Sequence, residues 1–208
     1  MGFESSDYII GYGSLLNHDS RLRHSGLNVE AIYVRLNGWQ RVWQAPSPAE
    51  QQTYLGVVPC TSSQLNAALL PMKLMSDKLK SREQDYNIIK ISIKQLEFCH
   101  SNAGSREQIA KLASKQIWLC QPKHLQWPTE QLPVYQSYVD TCLAGAIELG
   151  QMNALFDFIA STQGWSHFWL NDRTAPRYPR KADTHKSLHS KIDGAFAECQ
   201  LLHHRRTL

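Results

Sequence analysis

The segment Gly11-Tyr12-Gly13-Ser14-Leu15-Leu16 sets two glycines around a tyrosine just after an apolar run. Glycines at a strand end let successive backbone N–H groups converge, and such a nest holds a carboxylate or phosphate without a charged side chain. An ordinary tight turn has the same composition, so spacing alone leaves both readings open. The segment is not a dinucleotide fingerprint, because Leu16 stands where the third glycine belongs. Nor is it a nucleophile elbow, because Ser14 lacks the following glycine. A second candidate is Arg82-Glu83-Gln84-Asp85-Tyr86, at an expected helix-to-strand junction. A carboxylate there can face a cleft and act as a general base; a solvated acid paired with a nearby Lys or Arg is the plainer alternative.

Other constellations carry less. His185 and His189 have metal-ligand spacing, but no Glu follows His185 as a zinc-protease helix requires, so no metal is expected. The run from Trp165 to Arg180 interleaves Arg173, Arg177 and Arg180 with aromatic residues. Such a run can clamp an anion or stack on bases. The reading adopted is an arm that packs its Trp and Tyr on the body and fans its arginines outward.

Elements to position these groups follow from the hydrophobic pattern. Residues 7–12 predict a buried strand, and 18–25 a loop or single helical turn. The stretch 31–44 alternates imperfectly and breaks at Asn37-Gly38, as a hairpin or bulged strand would. Residues 45–48 read as a loop. Two strands, 53–59 and 65–72, are expected on either side of a turn at Thr61-Ser62-Ser63. Residues 76–85 begin as a helix, 86–93 alternate as a strand, 100–105 form a loop, and 116–120 add another strand. Helical spacing then takes over at 136–149 and 153–161, an irregular stretch covers 164–183, and 184–202 form a last helix with Leu188, Ile192, Ala195 and Cys199 on one stripe. Strands early and helices late predict an α+β fold with a mixed, partly closed sheet or barrel, flanking helices and a C-terminal helical extension.

The chain has 208 residues, 42% of them hydrophobic, with 6 Trp, 8 Tyr and 6 Phe, which argues for a packed domain rather than disorder. Its net charge of +4 is uneven: residues 172–208 hold eight Lys or Arg against four Asp or Glu, and the first 171 hold fourteen of each. A nucleic-acid binder spreads such charge over a face, so no nucleic-acid partner is expected. No apolar run approaches a membrane span, and Met1-Gly2-Phe3-Glu4 is no secretory signal. Five widely spaced cysteines with no CxxC pair fit buried free thiols in a reducing cytoplasm.

Together the pieces resemble the gamma-glutamylcyclotransferase family over roughly residues 7–150. Tyr8-Ile9-Ile10-Gly11-Tyr12-Gly13-Ser14-Leu15-Leu16 is similar to its first strand and YGSxL substrate loop. Trp39-Gln40-Arg41-Val42-Trp43 resembles the following aromatic-basic strand, and Leu79 to Tyr86 the segment carrying the catalytic glutamate, which falls on Glu83. Pro133 to Asp140, running on to Gly145-Ala146-Ile147-Glu148, resembles the later helix whose tyrosine, here Tyr138, lines the pocket. The departures are Asn66-Ala67-Ala68, with alanine where the family has glycine, and an insertion-like stretch at 97–115.

The resemblance implies a domain at 1–150 with a C-terminal extension, 151–208, packed on it. It also implies a cofactor-free reaction in which a γ-glutamyl group cyclises to 5-oxoproline and expels an amine, amino acid or peptide. Glu83 would be the general acid/base, and Tyr12, Gly13, Ser14, Leu15 and Tyr138 would bind the substrate. A non-catalytic γ-glutamyl-binding protein of the same fold is the alternative. The leaving group and the oligomeric state are left open.

Overall fold

The computed structural model describes residues 7–72, 85–99, 110 and 112–207. A mixed seven-stranded sheet has the order β4-β6-β1-β3-β2-β5, with β8 added to β2 further along that strand. Its centre is the pair β2 (Ile32–Ser47) and β3 (Gln52–Pro71), antiparallel through most of their length and joined by a short 3-10 turn, Pro48–Glu50. β1 (Tyr8–Gly11) lies beside β3 antiparallel and beside β6 (Ile117–Pro122) parallel; β4 (Tyr86–Lys90) then pairs with β6. β5 (Leu96–Phe98) and β8 (Thr162–Gln163) flank β2. Among the described residues β4 and β5 do not pair with each other, so the sheet is open rather than closed into a barrel.

Two expectations about the hairpin need correction. β2 runs through 45–47, so the proline-rich 45–48 is mostly strand end, and 53–59 and 65–72 belong to one strand. The ladder does break where the turn-like serines lie. Asn37 pairs with Gln64 and Trp39 with Pro59, so Gly38 alone faces residues 60–63. Gly38 sits at φ +84°, a conformation that suits glycine at a bulge. The strand bends without ending.

Helix α1 (His18–Ser25) is longer than the expected single turn, because Asn17 caps it by accepting from the Ser20 amide at 2.8 Å and Gly26 closes it at φ +66°. Helix α2 (Gln136–Ala160) merges the two expected helices across a break at Gly150 and Gln151. Helix α3 (Lys186–Glu198) buries Ile192 and Ala195 of the expected stripe, together with Phe196, which lies outside that stripe. A second sheet joins β7 (Val134–Tyr135), β9 (Trp169–Asn171) and β10 (Arg205–Thr207), all parallel, and ties the C-terminal stretch to the start of α2. One continuous core runs from Ile9, Ile10 and Leu69 under α2 to Trp165, Trp169 and Phe196. No helix among the described residues is long and apolar enough to cross a membrane. Cys120 and Cys142 are buried; Cys60, Cys99 and Cys199 are only half-buried, contrary to the expectation for all five.

Candidate functional site

β1 ends at Gly11, and the chain leaves the sheet as a 3-10 turn, Ser14–Leu16, whose own hydrogen bonding starts when the Leu16 amide donates to the Gly13 carbonyl at 2.9 Å. The amides ahead of that bond belong to the first turn of a short helix, where no intrahelical acceptor exists. Two buried guanidiniums hold the carbonyl side of the loop. Arg41, wholly buried on β2, donates from Nε to the Tyr12 carbonyl at 2.9 Å and also holds both Asn66 oxygens. Arg21 on α1 donates to the carbonyls of Leu15 (2.9 Å) and Leu16 (2.6 Å). Burial pushes Arg41 down to about 9, and it depresses Arg21 as well, yet Arg41 stays cationic at neutral pH. A cation on a peptide carbonyl polarises that peptide, so the Gly13 N–H is the stronger donor for it.

The loop borders a cavity of about 920 Å³. Gly11, Tyr12, Gly13, Ser14 and Leu15 form one wall. The lining also includes the β2–β3 tip with Glu50, Tyr54 and Leu55 of β3, and Asp85 and Tyr86 at the start of β4. α2 contributes Tyr138, and the segment after β9 contributes Tyr178 and Arg180.

α2 comes very close to the loop. A Cβ on Gly145 would lie 2.2 Å from the Asn17 backbone nitrogen and 2.4 Å from the Leu16 carbonyl carbon, and one on Gly13 would lie 2.9 Å from the Tyr138 hydroxyl. Tyr138 therefore meets the loop directly, and it also accepts from the Leu55 amide at 3.4 Å. Its ring lies edge-on to Tyr54 (5.0 Å) and tilted against Tyr178 (4.6 Å).

A charged group completes the wall. Arg180 donates to Glu50 at 2.7 and 3.2 Å, and the Tyr54 hydroxyl donates to the same carboxylate. Burial pushes the Tyr54 phenol well above its ordinary value, so it remains a donor. Burial is the largest single influence on Arg180 and opposes its charge, but the hydrogen bonding to Glu50 and the electrostatic attraction of Tyr178, Tyr54 and Glu50 together outweigh it and hold the guanidinium above its usual value.

No protein-family model matches the chain, and no curated protein sequence does. Solved structures do resemble it. One described as a gamma-glutamyl cyclotransferase aligns with a TM-score of 0.53 at 12% identity, covering 91% of this chain and 99% of that one. The chain has the gamma-glutamyl cyclotransferase-like fold. A human protein described as uncharacterized gives 0.52 at 12% identity, with coverage of 91% and 99%.

In this cyclotransferase-like frame Tyr12, Gly13, Ser14, Leu15 and Tyr138, singled out from the sequence, all line one cavity. Glu83 lies outside the described residues; Asp85, two positions on, is on the cavity wall. Asn66, Ala67 and Ala68 are buried in β3 and do not line the cavity, so the alanine departure falls in the sheet.

The C-terminal arm differs from its expected outward display. Arg173 turns inward to Asp140 (2.7 Å) and Asp193 (2.8 Å), and Arg180 turns to Glu50; only Arg177 stays at the surface, over the Tyr135 ring. His189 lies near Thr184 and Asp140 on α3. Sequence reasoning missed Arg21, Glu50 and Tyr54 as parts of the site, and it weighed the run holding Tyr178 and Arg180 as an anion clamp but set it aside for an outward arm. The one available signal was the spacing of Arg and Tyr in residues 173–180.

Proposed function

We propose that this protein cyclises a γ-glutamyl group to 5-oxoproline, releasing the attached amine, amino acid or peptide, with Glu83 as general acid/base. The supporting observation is the meeting of the glycine loop and Tyr138 on one cavity, in a chain with the cyclotransferase-like fold. The substrate's α-amine attacks its own γ-carbonyl carbon; the new C–N bond forms, and the bond to the leaving nitrogen then breaks. Because nucleophile and electrophile share one molecule, much of the entropy of bringing them together is already met.

Glu83 takes a proton from the α-ammonium, which passes to solvent, and after the attack carries the surplus proton of the ring nitrogen to the departing nitrogen. The amides of residues 12–15 hold the α-carboxylate or the developing oxyanion, with Tyr138 as an added donor. Arg41 acts behind them through the Tyr12 carbonyl. The reaction drawn this way uses no cofactor. We read 151–208 as an arm of the same domain as 1–150, acting in the cytoplasm on a small-molecule substrate.

A panel of γ-glutamyl peptides and amines, assayed for 5-oxoproline, tests the reading. Glu83→Gln should keep the fold and ligand binding while turnover falls ~100- to 10,000-fold. Unchanged product release by that variant removes Glu83 from the mechanism. Ligand binding without product in the unaltered protein makes it a binding protein instead.

A further inference from the structure

We propose that Glu148 is a positioning residue for the glycine loop: its ionised carboxylate pins the end of the loop to α2 and so sets where the loop amides point. Its effect on turnover rests on the cyclotransferase reading above, which it deepens; Glu148 itself lies outside the cavity lining.

Glu148 stands about one turn beyond Gly145, where α2 meets the backbone of Leu16 and Asn17. Its Oε1 accepts from Asn17 Nδ2 at 2.5 Å, and its Oε2 accepts from the His18 amide at 2.8 Å. Asn17 follows the 3-10 turn of the loop and also caps α1. The two contacts therefore engage the loop's end and the first amide of the helix, which has no intrahelical acceptor. Arg21, buried on that helix, carries the hold back to the carbonyls of Leu15 and Leu16. Burial opposes the charge on Arg21, and Glu148 is the charged group that supports it.

The hold depends on ionisation. A carboxylate accepts on both oxygens, whereas the protonated acid, like glutamine, turns a donor toward one of the two N–H groups. Burial pushes the Glu148 carboxyl above its ordinary value, against the His18 amide and the charges of Arg21 and His18. The charged and titratable groups acting on it are Arg21, His18 and Asp19, all from α1. Lowering the pH through that raised range should release the end of the loop.

The test follows kcat/KM for 5-oxoproline release from γ-glutamyl-alanine against pH, in the unaltered protein and in Glu148→Gln. At mildly alkaline pH the variant should be ~10- to 100-fold slower, the range of a hydrogen bond to a charged group and of a small shift at a binding loop. The two proteins should converge as the pH falls, because protonated Glu148 and glutamine present similar groups. A ratio that stays constant with pH shows lost packing alone and overturns the assignment, as does an undiminished rate at alkaline pH. Repeating the comparison in a His18→Gln background removes the neighbouring histidine from the profile.

If γ-glutamyl-alanine yields no 5-oxoproline, amide hydrogen exchange decides without activity. In Glu148→Gln exchange at residues 14–18 should quicken by ~10-fold or more while β2 and β3 keep their protection. That result keeps Glu148 as the loop's anchor and counts against the cyclotransferase reading alone. Unchanged exchange at the loop, or faster exchange throughout the protein, overturns the anchor. Should Glu148→Gln not fold, Glu148→Asp, which keeps the charge and shortens the reach, is read by the same exchange.

Discussion

Gly145→Ala and Gly194→Ala make the same chemical change in two helices of this protein and should move stability in opposite directions. At Gly145 the added Cβ would meet the Asn17 nitrogen at 2.2 Å, the Leu16 carbonyl carbon at 2.4 Å and the Asn17 Cα at 2.7 Å, all backbone atoms that cannot rotate away. Ordinary contact begins at 3.4 Å, so α2 and the loop must separate by about 1.2 Å at that point. Overpacking of this kind costs ~1–3 kcal/mol, and the helix preference for alanine returns no more than ~1. A loss near 2 kcal/mol corresponds to a melting point lower by ~4–8 °C in a chain of this size.

Gly194 lies on the exposed side of α3 with nothing within 4 Å of its would-be Cβ. Alanine there should stabilise by ~0.5–1 kcal/mol, raising the melting point by ~1–4 °C. Activity separates the pair further: a displacement of about 1 Å at a binding loop can cost ~100-fold in turnover, whereas α3 contributes nothing to the cavity lining. The assay is thermal melting together with 5-oxoproline release for both variants. A Gly145→Ala protein that melts at or above the unaltered one would refute the argument that this glycine exists to let helix and loop meet.

Removing either end of the Tyr178–Ser14 hydrogen bond, by Tyr178→Phe or Ser14→Ala, should cost ~0.5–1.5 kcal/mol, and the double variant little more than one single, as a urea-denaturation cycle would read. If the loop binds through its amides, turnover by Ser14→Ala stays within ~10-fold of normal; a loss as large as that of Glu83→Gln would give the hydroxyl a direct role. Asp193→Asn tests the charge network under α3. Burial raises this carboxyl, but Arg205 at 2.6 Å and Arg173 at 2.8 Å outweigh it and hold it below its usual value of 3.8. A lowered carboxyl adds stability above its unfolded value and loses it as the pH falls through the folded one. The melting-point gap to Asp193→Asn, worth about 1 kcal/mol after solvent screening, should therefore be full at neutral pH and close below the usual carboxylate range. A gap that persists there would show that the network works by packing alone.

The parts of this molecule that were legible in its sequence are those whose physics is local. A glycine-flanked turn after an apolar run announces a loop rich in exposed amides, and helical spacing at 136–149 needs no distant information. The expected turn at Thr61-Ser62-Ser63 was half right for a physical reason: small polar residues break a ladder, but Gly38 opposite them absorbs the bulge and lets pairing resume. Local signals fail when one residue's partner lies far along the chain. Tyr178 and Ser14 are 164 positions apart, and Arg180 and Glu50 are 130 apart. Arg21 looks like any helical arginine until its two carbonyl partners are seen. The basic tail misled for the same reason, since formal charge says nothing of which arginines find carboxylates inside the fold.

The arm's place in the site follows from how α2 begins. No acidic residue stands in the first turn of that helix. Asp172, fully buried after β9, supplies the missing carboxylate from outside: it accepts from the Ser137 amide at 2.7 Å and from Ser137 Oγ at 2.6 Å. A carboxylate at a helix N-terminus is favoured both by the unpaired amides and by the helix dipole. The same group accepts from the Arg177 amide at 2.7 Å, and Ser137 Oγ accepts from the Tyr178 amide at 3.1 Å. One buried carboxylate thus fastens the residue next to Tyr138 to the residue next to Tyr178. The two tyrosines that face the loop are set by a single junction, although 40 residues of chain separate them. A substitution at Asp172 would therefore disturb the helix start and the arm at once, which makes the C-terminal stretch part of the cavity's construction.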